Sequence, residues 1–141
     1  MSDKHVITIK TTVNMPVEKV WIYWTEPRHI KNCNNASSDW HTPTAENDFR
    51  ENGTFNYRME AKDGSAGFDL YGVYEEIKLY ENIKYTLGDQ RKVEITFVRN
   101  GKETEIIESF ESESLNSLEM QKAGWQSILD NFKKYAEQLV L

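Results

Sequence analysis

Six short stretches between residues 40 and 111 alternate apolar with polar side chains, and tight-turn sequences separate them. The first runs from Trp40 to Arg50. The second carries Phe55, Tyr57, Met59 and Ala61 on one side. GFDLYGVYEEI (67–77), ENIKYTL (81–87), RKVEITFV (91–98) and TEIIESFE (104–111) follow. A period of two marks strands with one face buried. ENG (51–53), KDG (62–64), GDQ (88–90) and RNGK (99–102) reverse the chain, and Asn100-Gly101 is a strong two-residue hairpin signal. Successive strands joined this tightly pair antiparallel. Ahead of them, KHVITIKTTV (4–13) alternates Ile7, Ile9, Thr11 and Val13 and reads as one more strand. A sheet of about six or seven such strands curls, and its apolar face needs a cover.

The only element long enough to provide one is QKAGWQSILDNFKKYAEQLVL (121–141). There Trp125, Ile128, Leu129, Phe132, Tyr135 and Leu139 recur at helical spacing. The polar segment SESLNSLEM leads into it. The expected architecture is α+β: a curved antiparallel sheet wrapped around a long C-terminal helix. Two short helices follow the first strand. Pro16 suits the first position of one, Glu18 complements its dipole, and Val17, Val20, Trp21 and Trp24 share a face. Pro27 ends it or opens the second, which runs to about Cys33. NCNNASSD (32–39) is loop chemistry. Gly124 stands inside the long helix, where glycine costs roughly 1 kcal/mol relative to alanine. The face beside it covers either a filled core or a space that holds something else.

The chain of 141 residues suits one domain, 1–141. Its net charge of −6 and the lack of a basic stripe argue against nucleic acid. Cys33 is the single cysteine, so no internal disulfide forms, and a reducing, cytoplasmic setting is expected. No run approaches the ~20 apolar residues that span a bilayer. The polar face of the long helix mixes Asp130, Lys133, Lys134 and Glu137, a solvated pattern rather than a lipid-seeking one.

Chemical motifs are sparse. His29 and Cys33 are spaced to share a helix face, with Asp39 and His41 nearby, but no recognised zinc spacing appears. Ser37, Ser38, Asp39 and His41 are triad residue types without a nucleophile elbow. GSAG (64–67) opens a hairpin rather than a helix, so it is no phosphate loop. No cofactor is implied. Glu94 falls on the outer face of its strand. Glu108 has two readings. If Ile106, Glu108 and Phe110 face inward, it is a buried carboxylate with a raised pKa unless Arg58 or Arg91 pairs with it. Otherwise it lies on an edge strand in water.

In order and spacing, PVEKVWIYWTEP (16–27), the lone Trp40, ENGTFNYRM (51–59), GVYEEI (72–77), VEITFV (93–98) and GWQSILDNFKKY (124–135) resemble the START-like superfamily, also called SRPBCC, Bet v 1-like or helix-grip. The branch is the one named after the activator of the Hsp-ninety chaperone ATPase. The resemblance covers about residues 5 to 139. It implies a cleft between the long helix and the concave sheet that takes a small apolar or amphipathic ligand, with the short helices closing one end. Gly124 would then allow close backbone approach, and Trp125 would border the cleft or pack the core. Strand phase and the resemblance together nominate Trp40, Phe55, Tyr57, Phe68, Leu70, Tyr85, Trp125 and Leu129 as cleft lining, with Glu108 if it turns inward. The leading expectation is a ligand-binding module. The alternatives are a chaperone partner, an enzyme of cyclase or hydrolase type using Tyr57, Tyr85 and Glu108, or a protein that only packs and forms a homodimer.

Overall fold

The computed structural model describes residues 5–33 and 39–138. The long C-terminal stretch and the sheet meet as the patterns require. Strand β1 (Val6–Val13) leads into helices α1 (Val17–Thr25) and α2 (Pro27–Cys33). Strands β2 (Trp40–Asn47), β3 (Thr54–Ala61), β4 (Gly67–Lys78), β5 (Asn82–Leu87), β6 (Lys92–Asn100) and β7 (Glu103–Glu111) follow, and α3 (Leu118–Gln138) completes the described elements. Among the described residues the strands form one sheet in the order β1-β7-β6-β5-β4-β3-β2, antiparallel at every joint. The last strand is therefore not an edge. β1 crosses back to pair with it, placing Ile9 opposite Glu108.

Local chemistry sets the boundaries. α3 begins earlier than its apolar spacing indicates, because Ser117 caps it: the hydroxyl accepts from the Met120 amide at 3.1 Å. The segment SLEM is thus a first helical turn. Pro16 is extended (ψ 152°) and precedes α1 instead of opening it, whereas Pro27 is the first residue of α2. In the β6–β7 hairpin Asn100 pairs with Glu103, and Gly101 takes the positive φ of 65° at the first loop position. β2 ends at Asn47, short of Arg50.

Both sheet edges are managed. β2 carries Pro43 and a register shift between His41 and Thr44, which spoil it as a template for another strand. Along β1, α3 supplies donors: Gln126 Nε2 reaches the Lys10 carbonyl at 3.3 Å, and Lys133 Nζ the Thr12 carbonyl at 2.7 Å. The core splits into two zones. One lies under α1, where Trp21 meets Phe49, Tyr80 and Phe97 edge to face at 5.6, 5.8 and 5.1 Å. The other, between α3 and strands β3 to β7, is incompletely filled. None of the described helices is long and apolar enough to cross a membrane. Ser37, Ser38 and Leu139 lie outside the described residues.

Candidate ligand cavity

Inward-facing residues of the curled sheet stop short of α3 and leave a cavity of about 390 Å³. That is within the usual range for a small-molecule site, roughly 300–1,000 Å³. β3 contributes Phe55, Tyr57 and Met59, β4 Leu70 and Tyr74, and β5 Ile83 and Tyr85. Trp24, Ile30 and Cys33, from the two short helices, close one end. Trp125, Leu129 and Phe132 of α3 form the lid. The Trp125 ring lies flat on Phe110, centroids 3.9 Å apart and planes 9° from parallel.

Of the residues nominated from sequence, Phe55, Tyr57, Phe68, Leu70, Tyr85, Glu108, Trp125 and Leu129 wall the cavity. Phe68 is half out in solvent, at the mouth. Trp40 is not among the walling residues; its ring stands 5.9 Å from that of Phe68. The register shift and Pro43 separate Trp40 from the rest of β2, so strand phase does not carry through to it. Sequence reasoning missed Tyr74, although it continues the alternation of Leu70 along β4. It also missed Gln121, a polar residue at the head of the long helix, and considered Arg91 only as a partner for Glu108.

Gly124 corrects an expectation. A side chain there would meet no atom within 4 Å, so the glycine does not serve close backbone approach. It borders the open cavity instead. Gly124→Ala should therefore raise stability by about 0.5–1 kcal/mol, the helix propensity difference without a clash. Urea denaturation of the two proteins checks this, and a loss of stability would mean that the helix packs more tightly here.

The polar groups of the cavity fall into two sets. In the satisfied set, the Tyr57 hydroxyl is hydrogen-bonded to Tyr74, Tyr74 donates to Asn47 Oδ1 at 2.6 Å, and Asn47 donates to the Thr25 carbonyl at 2.7 Å. This chain ties the cavity floor to the end of α1. Gln121, buried, bonds the backbone of Glu113 and Asn116 through 2.8, 3.1 and 2.9 Å contacts and pins the β7–α3 connection. The Cys33 thiol donates to the His29 carbonyl at 3.2 Å, and burial pushes its pKa up to about 12, so it is an inert thiol. His29 is hydrogen-bonded to Tyr135 at 2.7 Å, and among the described residues no three metal-ligating side chains converge.

The other set has no partner. Glu108 is 6% exposed, faces inward from β7 and makes no hydrogen bond or ion pair among the described residues. The edge-strand reading of this residue is thus overturned. Its strand neighbours in the sheet are Ile9 and Ile95, which are 2% and 0% exposed. Arg58 is occupied on the opposite side of the sheet by Glu60 at 2.9 Å, and Arg91 by Asp89 at 2.7 Å. Burial alone raises the Glu108 pKa to about 8, so at neutral pH it is mostly an uncharged acid. The Tyr85 hydroxyl likewise has no hydrogen-bond partner among the described residues; burial first, then the proximity of Glu108, raises its pKa well above the usual value.

Comparison with known proteins agrees with this architecture. Residues 14–137 match the family described as Activator of Hsp90 ATPase homolog 1-like protein. An AHSA1-like protein from Aeromonas hydrophila, solved by NMR, is 38% identical with a TM-score of 0.90, over 95% of this chain and 93% of that one. A protein from Cytophaga hutchinsonii is 50% identical with a TM-score of 0.82, over 94% and 92%. One from Nitrosomonas europaea, at 16% identity and a TM-score of 0.81 over 98% and 97%, shares the fold alone. No curated protein matches the chain.

Proposed function

The chain belongs to the family of activator of Hsp90 ATPase homolog 1-like proteins, and from that premise we propose that it binds a small apolar or amphipathic molecule between the sheet and α3. The observation that carries this is the cavity itself: about 390 Å³, walled by aromatic and aliphatic side chains, with a few polar groups turned into it. A core needs no such space, since interiors are normally filled to crystal-like density. We place the protein in the cytosol, a setting supported by its single free thiol, Cys33.

Native mass spectrometry of protein purified from its own host, beside a denatured sample, tests the proposal. The expected result is a small-molecule mass that disappears on denaturation. A bare protein mass, together with no uptake of an apolar fluorescent dye, would sink it.

A second reading rests on Glu108. An uncharged carboxylic acid beside Tyr85 in an apolar chamber has the makings of a general acid. Under this reading the same ligand is turned over, and product would accumulate with time in a way that Glu108→Gln abolishes. A chaperone partner draws on the family's name and on the exposed Leu115, Leu118 and Met120 near the start of α3. Retention of a chaperone on immobilised protein would favour it.

A further inference from the structure

Two donors share one corner of the cavity. Tyr85 stands on β5 and Glu108 on β7, with β6 between them as an apolar floor of Val93 and Ile95. Strands two places apart are about 10 Å from each other. Both side chains can therefore reach towards one atom above β6. Phe110, next inward residue to Glu108 on β7, carries the stacked Trp125 ring. Arg91, just before β6, also walls this chamber.

We infer that Glu108 and Tyr85 together hold a single oxygen acceptor, a carbonyl oxygen on a flat apolar ligand that lies against Trp125. This rests on the ligand-binding role proposed above and names the feature recognised. The neighbouring hydroxyls of the sheet and the Glu113 carboxyl are engaged: Tyr57 with Tyr74, Tyr74 with Asn47, and Glu113 with Asn116 at 2.7 and 3.1 Å. On the inner face of the sheet, among the described residues, Glu108 and Tyr85 supply the carboxyl and the hydroxyl that turn into the cavity without a hydrogen-bond partner, and a site built around buried donors discriminates against ligands that leave them unpaired. The carboxyl keeps its proton among isoleucines and so donates. The phenol does the same. An ammonium ligand would meet the Arg91 guanidinium on the same cavity wall, and Glu113, the other walling carboxyl, is held by Asn116.

The probes are 1-tetralone, tetralin and 2-aminotetralin, which share a bicyclic frame and differ in the polar group. Titration calorimetry at pH 6.5 is expected to give tetralone at least about tenfold tighter than tetralin. Tyr85→Phe and Glu108→Leu should each cut that preference by about three- to tenfold. The bound ketone's carbonyl stretch should move to lower wavenumber and move back in each variant. The titratable or charged groups on the cavity are Tyr23 and Cys33 from the short helices, Tyr57, Tyr74 and Tyr85 from the sheet, and Arg91 and Glu113 from the connections. Beside Glu108, β1 and β6 present only isoleucines, and α3 presents Trp125 and Leu129. Tetralone affinity should hold below pH 8 and fall by up to about tenfold per unit above it, as Glu108 ionises. Equal affinity for tetralone and tetralin would overturn this inference and leave the cavity's binding role standing. Tighter binding of the amine would replace the acceptor with a cation. Failure of all three probes to bind would overturn the binding role and the inference together.

Discussion

At pH 8, Glu108→Gln should be more stable than the parent protein by about 4 kcal/mol, and at pH 4 the two should be nearly equal. Glutamine has the shape of the protonated acid and cannot ionise. The sign follows from the raised pKa. Below about pH 4.5, Glu108 is protonated in both folded and unfolded chains, and it has no effect on the balance. As pH rises towards 8, the unfolded chain releases the proton while the folded one retains it, so stability is lost at roughly 1.4 kcal/mol per unit. Above about 8 the folded form ionises too, and the loss levels off. Other carboxylates of this protein titrate in the opposite sense. Hydrogen bonds to Lys92 and Thr86 lower the Glu75 pKa, those to Lys84 and Lys78 lower that of Glu76, and Lys133 with the Asn14 amide lowers that of Glu137. Taking the difference between parent and variant cancels them. Urea midpoints measured at intervals from pH 4 to 9 provide the comparison. A constant difference across that range would show that the Glu108 pKa is not raised in the folded protein.

The second large effect separates two tryptophans. Trp21→Ala should destabilise the fold by about 3–5 kcal/mol. Its side chain is 5% exposed and meets three aromatic rings, so truncation leaves a hole that rigid neighbours cannot fill. It does not wall the cavity. Trp125→Ala removes a similar volume but from a ring that already borders open space. Its stability loss should be clearly smaller, about 1–2 kcal/mol, largely the stacking with Phe110 and the area that the pair buries. Uptake of an apolar ligand should show the reverse order: strongly weakened by Trp125→Ala, little changed in the folded fraction of Trp21→Ala. If Trp125→Ala unfolds the protein as readily as Trp21→Ala, the ring is core and the cavity has no function of its own.

Local patterns in the chain carry part of this picture. Alternation placed Phe55, Tyr57, Leu70 and Tyr85 on the inward side, and the structure has them there, because a strand has only two faces. The same rule could not orient β7. Its two faces read Ile-Glu-Phe and Glu-Ile-Ser, each mixing apolar and polar residues, and the deciding fact is the return of β1 to its flank. That pairing is long-range and leaves no local mark. Trp40 was misjudged because a register shift interrupts its strand. Gly124 was misjudged because a propensity scale prices the backbone and is blind to the empty volume beside it. Gln121 was invisible for a related reason: a polar residue at the head of an amphipathic helix reads as solvated until the loop that it binds is seen.

The pairing of β1 with β7 also fixes the order in which the protein can assemble. Val6 lies opposite Glu111, so β1 leaves the ribosome well before its partner and has none in β7 until residue 111 has followed it. The hairpins from β2 to β7 join neighbours in sequence and close quickly over short loops. β1 must wait, with Ile7 and Ile9 uncovered, and α3, which shields its outer edge through Gln126 and Lys133, arrives later still. During synthesis β1 is thus open to capture by another chain. Docking of β1 waits on β7, and the rate of that step sets how long the nascent protein stays vulnerable.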